Sequence, residues 1–250
     1  MHIAFFGSSL VSAYWNGAAT YYRGILGAMA ARGHRISFYE PDAFERQQHR
    51  DIADPSWAKV VIYENSLRGV YGALEAAGGA DVIVKASGVG VFDDLLEREV
   101  LALKRPQNLV LFWDVDAPAT LERVQQNQAD PFARLIAQYD LVLTYGGGPR
   151  VVATYRDLGA QECIPIYNAL DPETHFPTPP DPRFEASLGF LGNRLPDREA
   201  RVAEFLFKPA HLLPESTFLL GGSGWDQHVP ELANVHYHGH VYTQDHNAFN

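Results

Sequence analysis

Between Trp113 and Pro118 the chain carries two carboxylates and an indole, Trp113-Asp114-Val115-Asp116-Ala117-Pro118. A carboxylate so placed can take the proton of an attacking hydroxyl, or accept hydrogen bonds from sugar hydroxyls while the indole packs on a sugar face. Asp116 and Asp114 are therefore the candidate catalytic residues, and Trp113 is a candidate acceptor contact. The competing reading makes Asp116 the cap of a helix that begins near Pro118. Upstream, Lys85-Ala86-Ser87-Gly88-Val89-Gly90 holds one of the four lysines of the chain. Lys85 and Ser87 are candidates to meet an acceptor, the lysine through a carboxylate or phosphate; a solvated lysine fits the same pattern. Gly7-Ser8-Ser9 leads to Asn16-Gly17-Ala18-Ala19-Thr20. Ser8, Gly17 and Ala18 thus stand where backbone N–H groups can receive a phosphate or sugar oxygen, with a tight turn and helix cap as the alternative. Tyr145-Gly146-Gly147-Gly148-Pro149, a glycine turn before an expected helix, either faces a cleft between domains or simply turns the chain.

Two further candidates lie near the end of the sequence. Gly192-Asn193-Arg194 is followed by Arg198 at the start of an expected helix. Cations there oppose the helix dipole unless an anion lies between, so Asn193 and Arg194 read as contacts to a diphosphate, or else as solvated side chains. Gly221-Gly222-Ser223-Gly224-Trp225 permits close approach of a ligand to the backbone at Gly222. His236, His238 and His240 would share one face of a strand, but Gly239 disturbs that geometry and no cysteine or second histidine pair joins them, so no metal is expected. A GxGxxG fingerprint, a P-loop and a recoverable Ser-His-Asp arrangement are all lacking.

These segments share one position: each follows an expected strand. Short apolar runs at Ile3–Phe6, Arg35–Tyr39, Val60–Tyr63, Asp81–Val84, Leu109–Trp113, Leu141–Thr144 and Glu162–Ile166 alternate with helical patterns. The helices are expected at Ala18–Ala31, Leu67–Ala77, Phe92–Leu103, Ala119–Gln138 (mostly) and Arg150–Leu158. Such alternation predicts a doubly wound, mainly parallel α/β sheet, and open parallel sheets bind ligands at the carboxyl ends of their strands. From Asp171 to Pro182 there are five prolines in twelve residues, a stiff extended connection. Alternation then resumes with strands at Leu188–Leu191, Thr217–Leu220 and Val235–Tyr237, a helix at Pro196–Phe207, and another opening at Asp245. The expected organisation is a complete Rossmann-like domain over 1–169, a proline-rich linker over 170–186, and the start of a second Rossmann-like domain over 187–250. With only about three strands, that second domain reads as truncated.

Composition bounds the partners. The formal net charge is -10 and the sequence pI is about 5.4, a balance that disfavours nucleic acid and anionic lipid. The lone Cys163 reads as a small buried hydrophobe in a reducing compartment. No basic n-region precedes Ile3–Phe6, and no stretch approaches the length of a membrane span. A cytoplasmic location is expected.

The order of these segments resembles the GT-B glycosyltransferases, in particular the group related to the spore maturation protein CgeB with a glycosyltransferase family 4-like organisation. Ile3-Ala4-Phe5-Phe6-Gly7 with Gly17 looks like the first strand and glycine loop of the acceptor domain. Asn168-Ala169-Leu170-Asp171 with Phe176-Pro177 is similar to the N-G-V-D…F-x-P interdomain segment, Ala169 replacing the usual glycine. Leu188-Gly189-Phe190-Leu191-Gly192-Asn193-Arg194 looks like the opening strand of the donor domain, and Gly239-His240-Val241-Tyr242 resembles a later G-x-V step. The resemblance implies two Rossmann-like domains, a nucleotide-sugar as substrate rather than any cofactor, and no bound metal. It implies that Ser8, Gly17, Ala18, Arg194, Asn193, Gly222 and Tyr242 serve the donor phosphates, and that Lys85, Ser87 and Trp113 serve an acceptor. The acidic pair that holds the donor in this family would lie beyond Asn250, so the 250-residue chain is expected to bind nucleotide-sugar poorly and to be inactive.

The expected function is therefore transfer of a sugar, of hexosyl type, from a nucleotide-sugar to an acceptor. The resemblance leans towards a retaining enzyme, but the residues themselves give no stereochemical outcome, acceptor, donor sugar or oligomeric state. The alternatives are a non-catalytic sugar- or nucleotide-binding module and a nucleotide-dependent oxidoreductase. The oxidoreductase is disfavoured by the missing fingerprint and by the lack of a convincing acidic residue closing the second strand, Glu40 being the nearest.

Overall fold

The computed structural model describes residues 1–250 except 15, 128, 170, 171, 173 and 174. The Leu170-Asp171 step of the 168–171 motif and part of the proline-rich stretch lie outside the described residues. The chain divides into two compact units, Met1–Ala169 and Leu170–Asn250.

In the first unit, β1 (His2–Phe6), β2 (Arg35–Asp42), β3 (Ala58–Glu64), β4 (Val82–Ala86), β5 (Leu109–Asp114), β6 (Leu141–Thr144) and β7 (Cys163–Pro165) form one sheet. All neighbours are parallel, in the order β3-β2-β1-β4-β5-β6-β7. The central strand β1 is apolar on both faces because both are covered, the usual reason a parallel strand reads as a continuous run. Ala4 and Phe6 face α2 (Leu67–Ala77), α3 (Asp93–Glu99), α4 (Ala117–Gln126), α5 (Pro131–Leu135) and α6 (Gly148–Asp157). Ile3 and Phe5 face α1 (Ala18–Ala31), which contributes Tyr22 and Leu26. On that side the Phe5 ring stacks on Phe38 at 5.3 Å and meets the edge of Tyr22 at 5.1 Å. Burying each such ring contributes roughly 2–3 kcal/mol, before the entropy of ordering it is counted.

Local chemistry sets the helix ends. Ser66 caps α2, its hydroxyl accepting from Gly69 N at 3.1 Å. Asp130 accepts from Phe132 N at 2.9 Å and Pro131 opens α5. That pair splits the helix expected over 119–138 into α4, α5 and a 3-10 turn at Ile136–Gln138, because the residue before a proline leaves the helical region. The helix expected over 92–103 is likewise shorter, continuing beyond α3 as a 3-10 turn at Val100–Leu103.

In the second unit, β8 (Leu188–Leu191), β9 (Phe218–Gly221) and β10 (Val235–Gly239) form a parallel sheet in the order β10-β9-β8. Its helix begins as α7 (Pro196–Val202), loosens into a π segment at Ala203–Phe207, and ends as α8 (Lys208–Leu212). Pro209 explains the loosening: it offers no N–H, and its ring crowds the carbonyl one turn back. Val202, Leu206 and Ala210 pack on Phe218, Leu220 and Trp225. A short α9 (His246–Phe249) buries Phe249 with Phe184, Leu219 and Val241 on the other side. Among the described residues, no helix is long and apolar enough to cross a membrane.

Candidate functional site

In the first unit the chain leaves β1 in one direction through β2 and β3, and in the other through β4 to β7. The carboxyl ends of β1 and β4 therefore flank the topological switch point, where open α/β sheets hold ligands. Most of the buried polar side chains collect along this edge: Ser8, Ser9, Ser12 and Asn16 after β1, Glu40 in β2, Arg46 after it, and Lys85, Ser87, Asp114 and Thr144 at the ends of β4 to β6. Buried polar groups must find partners, so each pairing here shows what a side chain has left to offer.

The loop after β1 folds its polar side chains inward. Ser8 Oγ donates to Asn16 Oδ1 at 2.7 Å, and Asn16 Nδ2 donates to the carbonyls of Ser9 and Ser12 at 3.0 Å each. Glu40 takes Leu10 N at 2.6 Å, Ser9 Oγ at 3.0 Å and Gln47 Nε2 at 2.6 Å. Glu40, inside β2 and two residues short of its end at Asp42, is thus a buried loop anchor. Ser8 is correspondingly a buried scaffold residue whose hydroxyl is already engaged. Gly17 is the N-cap of α1, exposed, with no side-chain cap and no acidic residue in the first turn. The N-terminal N–H groups of α1 at Gly17 and Ala18 are therefore free of a capping side chain.

Lys85 has a different role from the acceptor contact expected of it. It is fully buried, donating to Asp93 Oδ1 at 2.7 Å and to its neighbour Ala86 O at 2.7 Å. Asp93 also accepts from Val89 N and Gly90 N at 3.1 and 2.7 Å. The Asp93 carboxyl is held below its usual range: burial opposes this, but Lys85 and the two backbone donors outweigh it. The pair shapes the loop after β4.

Asp114 is the centre of a second network. Its Oδ1 accepts from Ser87 Oγ at 2.8 Å, Thr120 Oγ1 at 2.9 Å and Asp116 N at 3.0 Å, and its Oδ2 accepts from Tyr155 OH. Ser87 Oγ in turn accepts from Val115 N at 2.9 Å. Burial pushes the Asp114 carboxyl up, against the pull of these donors. With four donors filling it, Asp114 joins β4, β5, α4 and α6 and is a positioning residue. Trp113 is also buried, with Phe5 at 5.6 Å and Tyr21 at 6.1 Å against its ring, so its face is not an open sugar platform. Asp116 is exposed. It caps α4 through a long 3.5 Å contact to Ala119 N, and its backbone is tied to Asp114. The structure therefore brings Ser87, Asp114 and Asp116 together, with Asp116 as the member whose carboxylate faces outward. The glycine turn after β6 takes three consecutive positive φ values, 157°, 84° and 59° at Gly146, Gly147 and Gly148.

In the second unit, Asn193, Arg194 and Gly222 meet at the carboxyl ends of β8 and β9. Asn193 Oδ1 accepts from Ser223 N at 2.9 Å, and Arg194 N donates to Ser223 O at 2.9 Å. Trp225 Nε1 donates to Gly192 O at 2.8 Å, and Arg198 donates to Asn193 O at 3.2 Å. Arg194 is paired with Glu199. A Cβ on Gly222 would lie 2.2 Å from Gly192 O, so only glycine fits where β9 turns beside β8. Tyr242 is exposed, with His240 at 4.7 Å in an edge-on contact, and Ser223 Oγ lies 3.3 Å from His240 Nδ1. Among the described residues, no group of three or more metal-ligating side chains gathers. Arg46, Tyr155 and Ser223 belong to these networks without a short-range sequence signal, since their partners lie across the sheet.

No family model matches the chain, and no curated protein matches it. Solved structures do. HepE from Anabaena, solved with UDP-glucose, superposes with a TM-score of 0.62 at 14% identity over 97% of this chain and 70% of that one. Sucrose-phosphate synthase from Thermosynechococcus elongatus gives 0.60 at 13% identity over 100% and 73%. An alpha-glucosyltransferase solved with UDP and a 13-mer DNA gives 0.51 at 13% over 88% and 54%. At these identities the likeness is one of fold: a seven-stranded parallel sheet followed by a second parallel sheet, of GT-B type.

Proposed function

We propose that this protein is a glycosyltransferase that moves a hexose from a nucleotide-sugar to an acceptor hydroxyl, without a bound metal. The observation that carries this reading is the Asp114 network, which fixes an exposed carboxylate, Asp116, at the carboxyl edge of β5. The fold likeness to HepE, solved with UDP-glucose, supports it. Asp116 would orient or deprotonate the acceptor hydroxyl, with Asp114 and Ser87 holding it in place. Gly17 and Ala18 would offer N–H groups to donor phosphates, as helix N-termini do. Arg194 would exchange Glu199 for the leaving diphosphate, while Asn193 and Gly222 shape that loop and Tyr242 borders it. Membership of the CgeB-like, family 4-like group and a cytoplasmic setting are part of the same reading; the latter rests on the single, buried Cys163.

The test is product formation by the full-length protein from a panel of UDP- and GDP-sugars, repeated with Asp116→Asn. Asparagine is as good a helix cap as aspartate, so thermal unfolding should be unchanged. Turnover should fall by about 10²-fold or more, the usual worth of a positioned acid–base group. Unchanged turnover would remove Asp116 from the chemistry. Nucleotide binding with no product from any donor would favour a non-catalytic binding module instead.

A further inference from the structure

Among the described residues, three that are not glycine hold a positive φ: Phe44 (56°), Glu45 (57°) and Phe92 (53°). For a bulky L-residue this region costs free energy. All three lie at the carboxyl edge of the first sheet, Phe44 and Glu45 in the loop after β2 and Phe92 in the loop after β4. Strain of this kind persists only where the surroundings impose it, and it gathers at ligand sites. Here the imposing contacts are visible. The loop after β2 crosses the end of β1, where Arg46 donates to Ser8 O at 3.1 Å and to Val89 O at 3.3 Å. The Arg46 guanidinium lies 4.9 Å from the centre of the Phe44 ring. That ring packs against Gly90, where an added Cβ would come within 2.7 Å of it. Asp93 in turn accepts from Val89 N and Gly90 N.

These contacts fix the strained pair yet leave both side chains open to solvent. Phe44 is 53% exposed and the Glu45 side chain 66%, with His49 Nε2 3.8 Å from its carboxylate. The chemistry the two offer together is that of sugar recognition. An aromatic ring presents an apolar face to the C–H groups of a pyranose, and a carboxylate, which only accepts, takes its hydroxyls. Glu45 would repel a phosphate or carboxylate ligand, and a wholly apolar ligand would desolvate it without a partner. The aromatic-and-carboxylate pairing expected at Trp113 is buried; Phe44 and Glu45 supply the same two groups exposed. Because β4 and β5 are neighbours, the loop that carries Gly90 adjoins the loop that carries Asp116.

We propose that Phe44 and Glu45 form a subsite for a sugar ring of the acceptor, which is therefore itself a saccharide or glycoside. That the sugar belongs to the acceptor rests on the glycosyltransferase reading; the sugar subsite does not.

The test begins with the 250-residue chain on an array of immobilised glycans, each hit confirmed by saturation-transfer NMR. Four variants are compared: Phe44→Tyr, Phe44→Leu, Glu45→Gln and Glu45→Gly. The expected result is a glycan retained by the wild type and by Phe44→Tyr, with binding about tenfold weaker in Phe44→Leu and in Glu45→Gln. In Glu45→Gly binding should be lost while the unfolding temperature holds or rises, because glycine adopts this φ without penalty. No retained glycan, or one retained alike by all four variants, overturns the subsite. So does binding lost only in step with a fall in unfolding temperature, the mark of a structural role. An aglycone alcohol that competes as well as its glycoside overturns the sugar assignment. The retained glycan is then offered to the full-length protein with a panel of UDP- and GDP-sugars. Product on other acceptors but not on this one overturns its assignment to the acceptor. No product on any acceptor counts against the glycosyltransferase reading, and the sugar subsite then stands or falls on the array alone.

Discussion

At the scale of single residues, two buried carboxyls have opposite kinds of support. Asp114 gathers four donors, and deleting its side chain leaves Ser87, Thr120, Tyr155 and the Asp116 N–H without an acceptor. Relief of a buried charge offsets part of that loss, so Asp114→Ala should lower stability by roughly 2–4 kcal/mol in denaturant unfolding. A change below about 0.5 kcal/mol would mean the network carries no load. Glu97 is buried against helices, with Arg123 3.3 Å from both its oxygens. Burial nevertheless dominates and pushes its carboxyl from 4.5 up to about 7, despite the attraction of Lys85 and Arg123. The folded state thus holds this proton more tightly than the unfolded chain. The associated stability is present below the unfolded value and is lost as pH rises towards about 7. Glu97→Gln has no such proton to lose. Measured by denaturant unfolding, wild-type stability relative to the variant should fall as pH is raised from about 4.5 to about 7, by at most roughly 3 kcal/mol. A flat or rising difference would show that Arg123 keeps Glu97 ionised throughout.

At the scale of elements, the close pairing of β8 and β9 turns on Gly222. Its φ is +119°, and an added Cβ would meet Gly192 backbone at 2.2 Å. Backbone cannot retreat like a side-chain tip, so Gly222→Ala should cost about 3 kcal/mol or more, seen as a lowered unfolding transition of the second unit. Retained stability would mean the β8 and β9 turns are free to separate. This scale also shows what the sequence made legible. The seven strands of the first sheet were expected in their order, because buried parallel strands read as apolar runs and glycines mark their ends. Asp116 as a helix cap was one of the two readings open at that position, and both its exposure and its cap contact are now visible. Lys85 and Trp113 were not legible: a strand-end lysine looks the same in sequence whether it faces solvent or an Asp93 eight residues on. Arg46 sits in a polar loop, and its burial depends on carbonyls 38 and 43 residues away. Helix lengths were over-read where Asp130-Pro131 restarts the chain, since periodicity alone does not register a cap inside a helical pattern.

At the scale of the whole molecule, the two units differ in how much core they own. Among the described residues, the first buries both faces of seven strands under two large clusters, whereas the second has three strands and two small ones. Stability rises with the fraction of surface a domain buries, and small domains are marginal. Each unit has its own sheet and its own apolar clusters, so each has the means to unfold as a cooperative block. Calorimetry should therefore resolve two transitions, the lower one belonging to residues 170–250. The two substitutions argued above separate them: Asp114→Ala should move the upper transition and leave the lower near its place, and Gly222→Ala the reverse. Distant sites with no shared partners act independently, so the double variant should show both shifts together. A single transition that both substitutions lower alike would mean that the units fold as one cooperative body.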